Sequence, residues 1–257
     1  KIVGRRMLND TMFDLNLLHT GDPIESYYEI LVRYAKLFDL LRDDPTASVA
    51  TASNLIPFTF YSPYECLSKF RLGRWIYHHG KMKPPASLSD LQVPDKVPQM
   101  HWKLSASIRQ LSHTSFIWDY NIFRSIVKEI RYFAGLDLLS AEDVRNMKKE
   151  LGLLLSELEA VTTTGEFSKG HSLAIYLSDI NFEATYTYVE KGDFQACLFR
   201  VYSINSMDSQ NPRMCNIQKN WIQSLKRHST LISQSSEIQR RQFFNEQREI
   251  VESLQEA

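Results

Sequence analysis

A few residue groups in this 257-residue chain have types and spacing that suggest chemistry. Asp43-Asp44 resembles the opening of an aspartate-rich magnesium motif, but no third carboxylate follows at helical spacing, so it reads as a solvated helix end. His78-His79 falls at the end of a helical pattern, where imidazoles complement the helix dipole. Adjacent residues point in different directions and make poor joint metal ligands. Ser125-Ile126-Val127-Lys128 fits S-x-x-K, but no K-T-G or second serine motif accompanies it. Cys66, Cys197 and Cys215 contain no C-x-x-C pair, which argues against a cysteine zinc site or a disulfide framework and fits a reducing compartment. H-E-x-x-H, G-x-S-x-G, a Walker loop and G-x-G-x-x-G are all missing. The chain reads as noncatalytic, with no metal and no cofactor.

Basic residues recur at helical spacing at Arg124, Lys128 and Arg131, and again at Lys219, Lys226 and Arg227. The first group has acidic neighbours such as Glu129, and both groups read as solvated faces. The whole chain carries 30 basic and 30 acidic residues. That balance argues against a domain built to grip phosphate backbones, which needs a net basic face. A hydrophobic content of 43% with 12% aromatics excludes a disordered tail. Only 9 glycines and 9 prolines argue against a turn-rich β sandwich. No apolar run is long enough to span a membrane. Lys1 in place of a methionine reads as the start of a fragment.

The elements that would position these residues read as helices. Asp22-Pro23-Ile24-Glu25 and Ser62-Pro63-Tyr64-Glu65 each place a cap acceptor, a first-turn proline and a glutamate in order, and Asn211-Pro212 repeats the first half. Ile24, Tyr27, Tyr28, Leu31, Tyr34, Ala35, Phe38 and Leu41 form one helical stripe. Further helices are expected over 5–19, 63–80, 103–112, 117–134, 141–160, 170–190, 194–204, 213–232 and 236–255. Residues 81–102 read as an expanded, proline-bearing loop, and the short 56–61 run gives the longest strand pattern. The expected fold class is all-α, one multi-helix domain over 1–257.

Four stretches carry a resemblance. They are Arg6-Met7-Leu8-Asn9-Asp10 followed by Gly21-Asp22 and the Tyr27 to Leu41 helix; Cys66 to Lys81; Tyr188-Val189-Glu190-Lys191-Gly192-Asp193-Phe194-Gln195-Ala196-Cys197; and the closing pair of long helices. In order and spacing the chain resembles the telomere repeat-binding factor homology (TRFH) domain, the all-helical module of shelterin proteins that bind duplex telomeric DNA. In this reading Gly192-Asp193-Phe194 is a tight helix–turn–helix.

The resemblance implies a nuclear, telomeric protein-interaction domain. It would dock short peptide motifs of other shelterin proteins near its third helix and homodimerise through its first and last helices. DNA contact would belong to a separate Myb-type domain. Two features depart from the family. Asn9, Asp10, Asp14 and Asn16 in the first helix, and a last helix rich in Gln, Arg and Glu, are polar for a dimer core, so the homodimer stays open. The docking region falls in 82–116, where Leu88, Leu91, Val93, Val97 and Trp102 are apolar residues in a polar stretch. These five are the candidate partner-binding residues; they either line a groove or cover the domain's own core. Two other readings stand beside this one. Pro63-Tyr64-Glu65-Cys66-Leu67 and Tyr176-Leu177-Ser178-Asp179-Ile180 resemble a Ras-type exchange-factor catalytic domain, and a generic α-solenoid would serve as a scaffold.

Overall fold

The first helix of the described residues opens as its sequence dictates. In the computed structural model, which describes residues 22–42, 44–56, 60, 63–79, 91–182, 184–201 and 205–254, helix α1 spans Pro23–Leu41. Asp22 accepts the Ile24 amide at 2.8 Å, and Pro23 takes a first-turn position that has no use for an N–H. Glu25 does not reach back to complete a capping box; Lys96 Nζ donates to both its oxygens, at 2.5 and 2.6 Å. After α1 come β1 (Ser48–Ser53), α2 (Glu65–His79), α3 (Lys96–Arg109), β2 (His113–Asp119), α4 (Ile122–Ala134) and α5 (Ala141–Thr164). Strands β3 (Glu166–Ser168), β4 (His171–Ser178), β5 (Ala184–Lys191), β6 (Phe194–Val201) and β7 (Asn205–Ser209) follow. The described chain closes with α6 (Pro212–Arg227), β8 (Thr230–Leu231), a 3-10 turn and α7 (Glu237–Glu252).

The strands form one mixed sheet in the order β3-β4-β2-β1-β5-β6-β7, with β8 also paired to β4. Strands β1, β2 and β4 run parallel, while β5, β6 and β7 form an antiparallel meander beyond β1. β1 is therefore the seam, with parallel β2 on one side and antiparallel β5 on the other. Alternate residues face opposite ways along a strand. Val49, Phe116, Trp118, Ile175 and Val189 join the larger core beneath α1 to α5 and α7. Ala50, Ala52, Ile117, Tyr188 and Cys197 face the other way and pack on Cys215, Ile222 and Leu225 of α6. Helix α5 anchors the thick layer through Val144, Met147, Leu151, Leu154, Leu155 and Leu158, a repeat of three and four residues. A capping box of Ser140 and Asp143 starts it, and Gly165, at φ 69°, ends it.

This architecture corrects the all-α expectation. The helix expected over 117–134 is β2 followed by α4, and those expected over 170–190 and 194–204 are β4, β5 and β6. The 81–102 loop is also too long, because α3 begins at Lys96. The Gly192-Asp193-Phe194 helix–turn–helix is a β-hairpin: Lys191 pairs with Phe194 across the two-residue Gly192-Asp193 turn. Gly192 sits at φ 52°, which suits a hairpin as well as a helix end. Thr185, Tyr186, Thr187, Tyr188 and Val189 before it are strand formers. The same sheet removes the all-helical frame of the exchange-factor and solenoid readings, and Tyr176-Leu177-Ser178 lies on β4. The 5–19 helix, Asp43, Ser62 and Leu88 fall outside the described residues.

A Cβ at Gly192 would meet nothing within 4 Å, so a substitution there costs only backbone strain. Gly192→Val is expected to destabilise the protein by about 1–2 kcal/mol. Urea unfolding checks this, and an unchanged midpoint would contradict the hairpin.

Candidate functional site

Helices α2 and α3 flank the site, and each is fixed from behind. The first amides of α2 lack partners within the helix, and Glu150 of α5 accepts two of them, Cys66 N at 3.1 Å and Leu67 N at 2.8 Å. Leu67, Phe70, Leu72 and Ile76 of α2 are buried. On α3, Val97, His101, Leu104, Ser105 and Ile108 face inward. The His101 ring meets Tyr27 of α1 edge-on, with Nε2 3.0 Å from the Tyr27 hydroxyl. Ser107 donates to Asp39 at 2.8 Å, a second tie between α3 and α1.

Between α2 and α3 the extended stretch from Leu91 floors a groove of about 470 Å³. Leu72, Leu91, Val93, Val97, Pro98 and Trp102 give it apolar walls; Glu65, Lys69 and Asp95 are its charged residues. Four of the five sequence candidates thus meet in one place, and Leu88 lies outside the described residues. They divide the two expected roles. Leu91 and Val97 belong to the core and form the floor. Trp102 instead leaves 57% of its surface open at the groove wall. Lys69 is paired with Glu65 at 2.8 Å, so Asp95 leaves the rim with one unmatched acidic charge among the described side chains. Glu65, Ser68 and Lys69 were not visible from sequence as lining, since only tertiary packing brings α2 to α3.

The other candidate chemistry resolves into structural contacts. Asp44 accepts the Thr46 amide at 2.8 Å and the Thr46 hydroxyl at 2.6 Å, and these bonds hold its carboxyl below the usual range. Ser125 and Lys128 are exposed on α4. Arg131 is bound to the Ser253 carbonyl at the end of α7. Glu129, expected to neutralise that basic face, turns to Arg74 of α2 at 2.5 Å. Burial pushes its carboxyl up, against the pull of Arg74 and Arg71. Burial also pushes the Cys66 thiol up to about 11, helped by nearby Glu150, so it is protonated and unreactive at neutral pH. The C-terminal ends of the three parallel strands, where α/β sheets commonly bind ligands, close on themselves. Ser53, Asp119 and Ser178 each accept the amide two residues on, from Leu55, Asn121 and Ile180.

On the α6 face a hub forms that the sequence did not signal. Glu190 accepts Lys219 Nζ at 2.6 Å, the Tyr188 hydroxyl at 2.8 Å and the Ser48 hydroxyl at 3.2 Å. Burial would raise its carboxyl, but these bonds and the Lys219 charge win and hold it below the usual 4.5. A carboxyl lowered on folding contributes stability above its unfolded value and loses it as pH falls through its folded value. Glu190→Gln is expected to cost about 1–2 kcal/mol at pH 7, and much less in acid once the pH has fallen through the folded carboxyl's own lowered value. Urea titrations at the two pH values check this; an equal loss at both would contradict the assignment.

Lys226 of the same helix lies 5.6 Å from the centre of the Tyr176 ring, and burial lowers its ammonium. The last helix, polar by composition, buries Phe243, Phe244 and Val251 against the core, and packs on α5 and α4. Among the described residues no three His, Cys, Asp or Glu side chains gather as a metal site, and no helix is long and apolar enough to cross a membrane. Comparison with known families, curated proteins and solved structures returned no match.

Proposed function

We propose that this chain is a noncatalytic interaction module that docks a short extended segment of another protein in the α2–α3 groove. One observation carries the reading: Trp102 is more than half exposed beside an apolar floor of Leu91, Val93 and Val97. Tryptophan at the wall of a partly apolar pocket is the residue type that dominates binding energy in protein interfaces. The floor is anchored on the core and the α2 wall is held by Glu150, so the groove is preformed and docking need not order it. The occupant is an apolar side chain followed by a basic residue: the first fills the floor, the second meets Asp95. The telomeric, nuclear and homodimer expectations stand as proposals of the sequence resemblance alone, since nothing in the groove is specific to them.

Selection of a random displayed peptide library on the purified protein tests the reading, with Trp102→Ala protein as competitor. Enrichment of sequences pairing an aliphatic or aromatic residue with a basic one is expected, and the competitor should not deplete them. Peptides of telomeric proteins form a second arm. Enriched peptides that bind the competitor equally well would overturn the groove.

A further inference from the structure

The cysteines are far apart in sequence, but the fold makes a pair of two. Cys197 of β6 and Cys215 of α6 are 5% and 0% exposed and share the small core between the sheet and α6. The Cys197 thiol is hydrogen-bonded to the Cys215 sulfur. Strand register fixes the meeting: Cys197 lies opposite Ser209 of β7, and the Cys215 thiol donates to the Ser209 carbonyl at 3.5 Å. Tyr188, opposite Cys197 on β5, closes the pair from the other side. The remaining neighbours in this core, such as Ala50, Ala52, Ile222 and Leu225, are apolar. Two features prepare the Cys215 sulfur for negative charge. The backbone N–H groups of Cys197 and Cys215 are directed at it. It is also the fourth residue of α6, close to the positive end of the helix. Burial acts the other way and more strongly, raising the thiol and keeping it protonated at neutral pH. A coordinated metal ion deprotonates a thiol outright, so the pair is inert to ordinary thiol chemistry yet open to a metal.

The number of ligands selects the ion. Thiolates favour Cu(I), zinc and iron–sulfur clusters. Structural zinc takes four ligands, and the clusters take four cysteines or two cysteines with two histidines. Among the described residues no third His, Cys, Asp or Glu joins this pair. Two sulfurs facing each other suit a soft monovalent ion that accepts two ligands in line. We propose that Cys197 and Cys215 hold one Cu(I) ion between β6 and α6, each as a thiolate. Two protons leave and no electron moves. The site gains one negative charge, half that of a zinc tetrathiolate. The apolar shell keeps water from the ion and so protects its lower oxidation state. β7 ends the sheet, so local opening of one edge strand admits the ion. This site is independent of the α2–α3 groove and does not rest on the docking reading.

Anaerobic transfer of Cu(I) from its bicinchoninate complex to the reduced protein tests the site. Uptake of one equivalent is expected, with two sulfurs and nothing else in the first shell by X-ray absorption. Cys197→Ala and Cys215→Ala should each weaken binding by at least about hundredfold, since loss of an outer-shell partner alone costs ~10–100-fold. Cys66→Ala should leave the affinity unchanged. The thermal midpoint of the wild type should rise with Cu(I) and stay in place with Zn(II). The absorption spectrum and the midpoint are read on the wild type, so they decide the matter even if a variant folds poorly. No uptake from the chelator would overturn the proposal. So would nitrogen or oxygen in the first shell, affinity lost in Cys66→Ala, or equal stabilisation by zinc.

Discussion

Trp118→Ala is expected to destabilise the protein by about 3–5 kcal/mol, the range for a large aromatic removed from a packed interior. Only 1% of Trp118 is exposed. Its ring lies 6.0 Å from Phe116 and 5.8 Å from Phe60, at the centre of the layer between the sheet and the helices. A domain is typically stable by ~5–15 kcal/mol, so this one change removes a large part of the total. Trp118→Phe should cost far less. The indole N–H finds no acceptor among the described residues, so phenylalanine loses area and a hole is left, but no hydrogen bond breaks. Chemical denaturation of the two variants checks the pair. A Trp118→Ala protein within 1 kcal/mol of the wild type would place Trp118 at the surface and contradict the fold.

Trp102→Ala is expected to do the reverse. With 57% of its surface in solvent, Trp102 contributes little to folding, and the thermal midpoint should move by only a degree or two. Affinity for a groove peptide should fall by at least about thirtyfold, the ~2 kcal/mol that marks a binding hot spot. Trp102→Phe should recover part of it by restoring an aromatic wall. Isothermal titration of one selected peptide against the three proteins measures this. Two tryptophans sixteen positions apart thus separate cleanly, one affecting stability and the other affinity.

The helical part of this contrast is legible in the sequence. Asp22-Pro23 and Asn211-Pro212 announce their helices, and the caps form as spelled: Asn211 accepts the Arg213 amide at 2.9 Å. The repeat of α5 is legible for the same reason, because its apolar spacing has one geometric solution. The strands were harder to see. β1, Ser-Val-Ala-Thr-Ala-Ser, has no large apolar residue and gains burial only from neighbours far along the chain. β2 runs straight into α4, so its apolar residues blend into a helical stripe. The β5–β6 hairpin was visible in principle, since Gly192-Asp193 between runs of Thr, Tyr and Val is a two-residue turn. The same glycine also fits a helix end, and local chemistry does not separate the two. At the candidate site, Leu91, Val93, Val97 and Trp102 stood out as apolar residues in a polar stretch. Glu65 and Lys69 did not, because a tertiary contact is what makes them neighbours of Trp102. The meeting of Cys197 with Cys215 was invisible for the same reason, since it depends on how α6 packs on β6.

The central claim is that a partner segment seats on the α2–α3 groove with Trp102 as its wall. Amide and indole NMR spectra of the protein, titrated with a selected peptide, test it most directly. The account predicts saturable shifts of the Trp102 indole and of the Ser68, Leu91, Val93 and Val97 amides, with α6 and α7 unmoved. Shifts concentrated on α6 or α7, with the Trp102 indole unchanged at saturation, would contradict it.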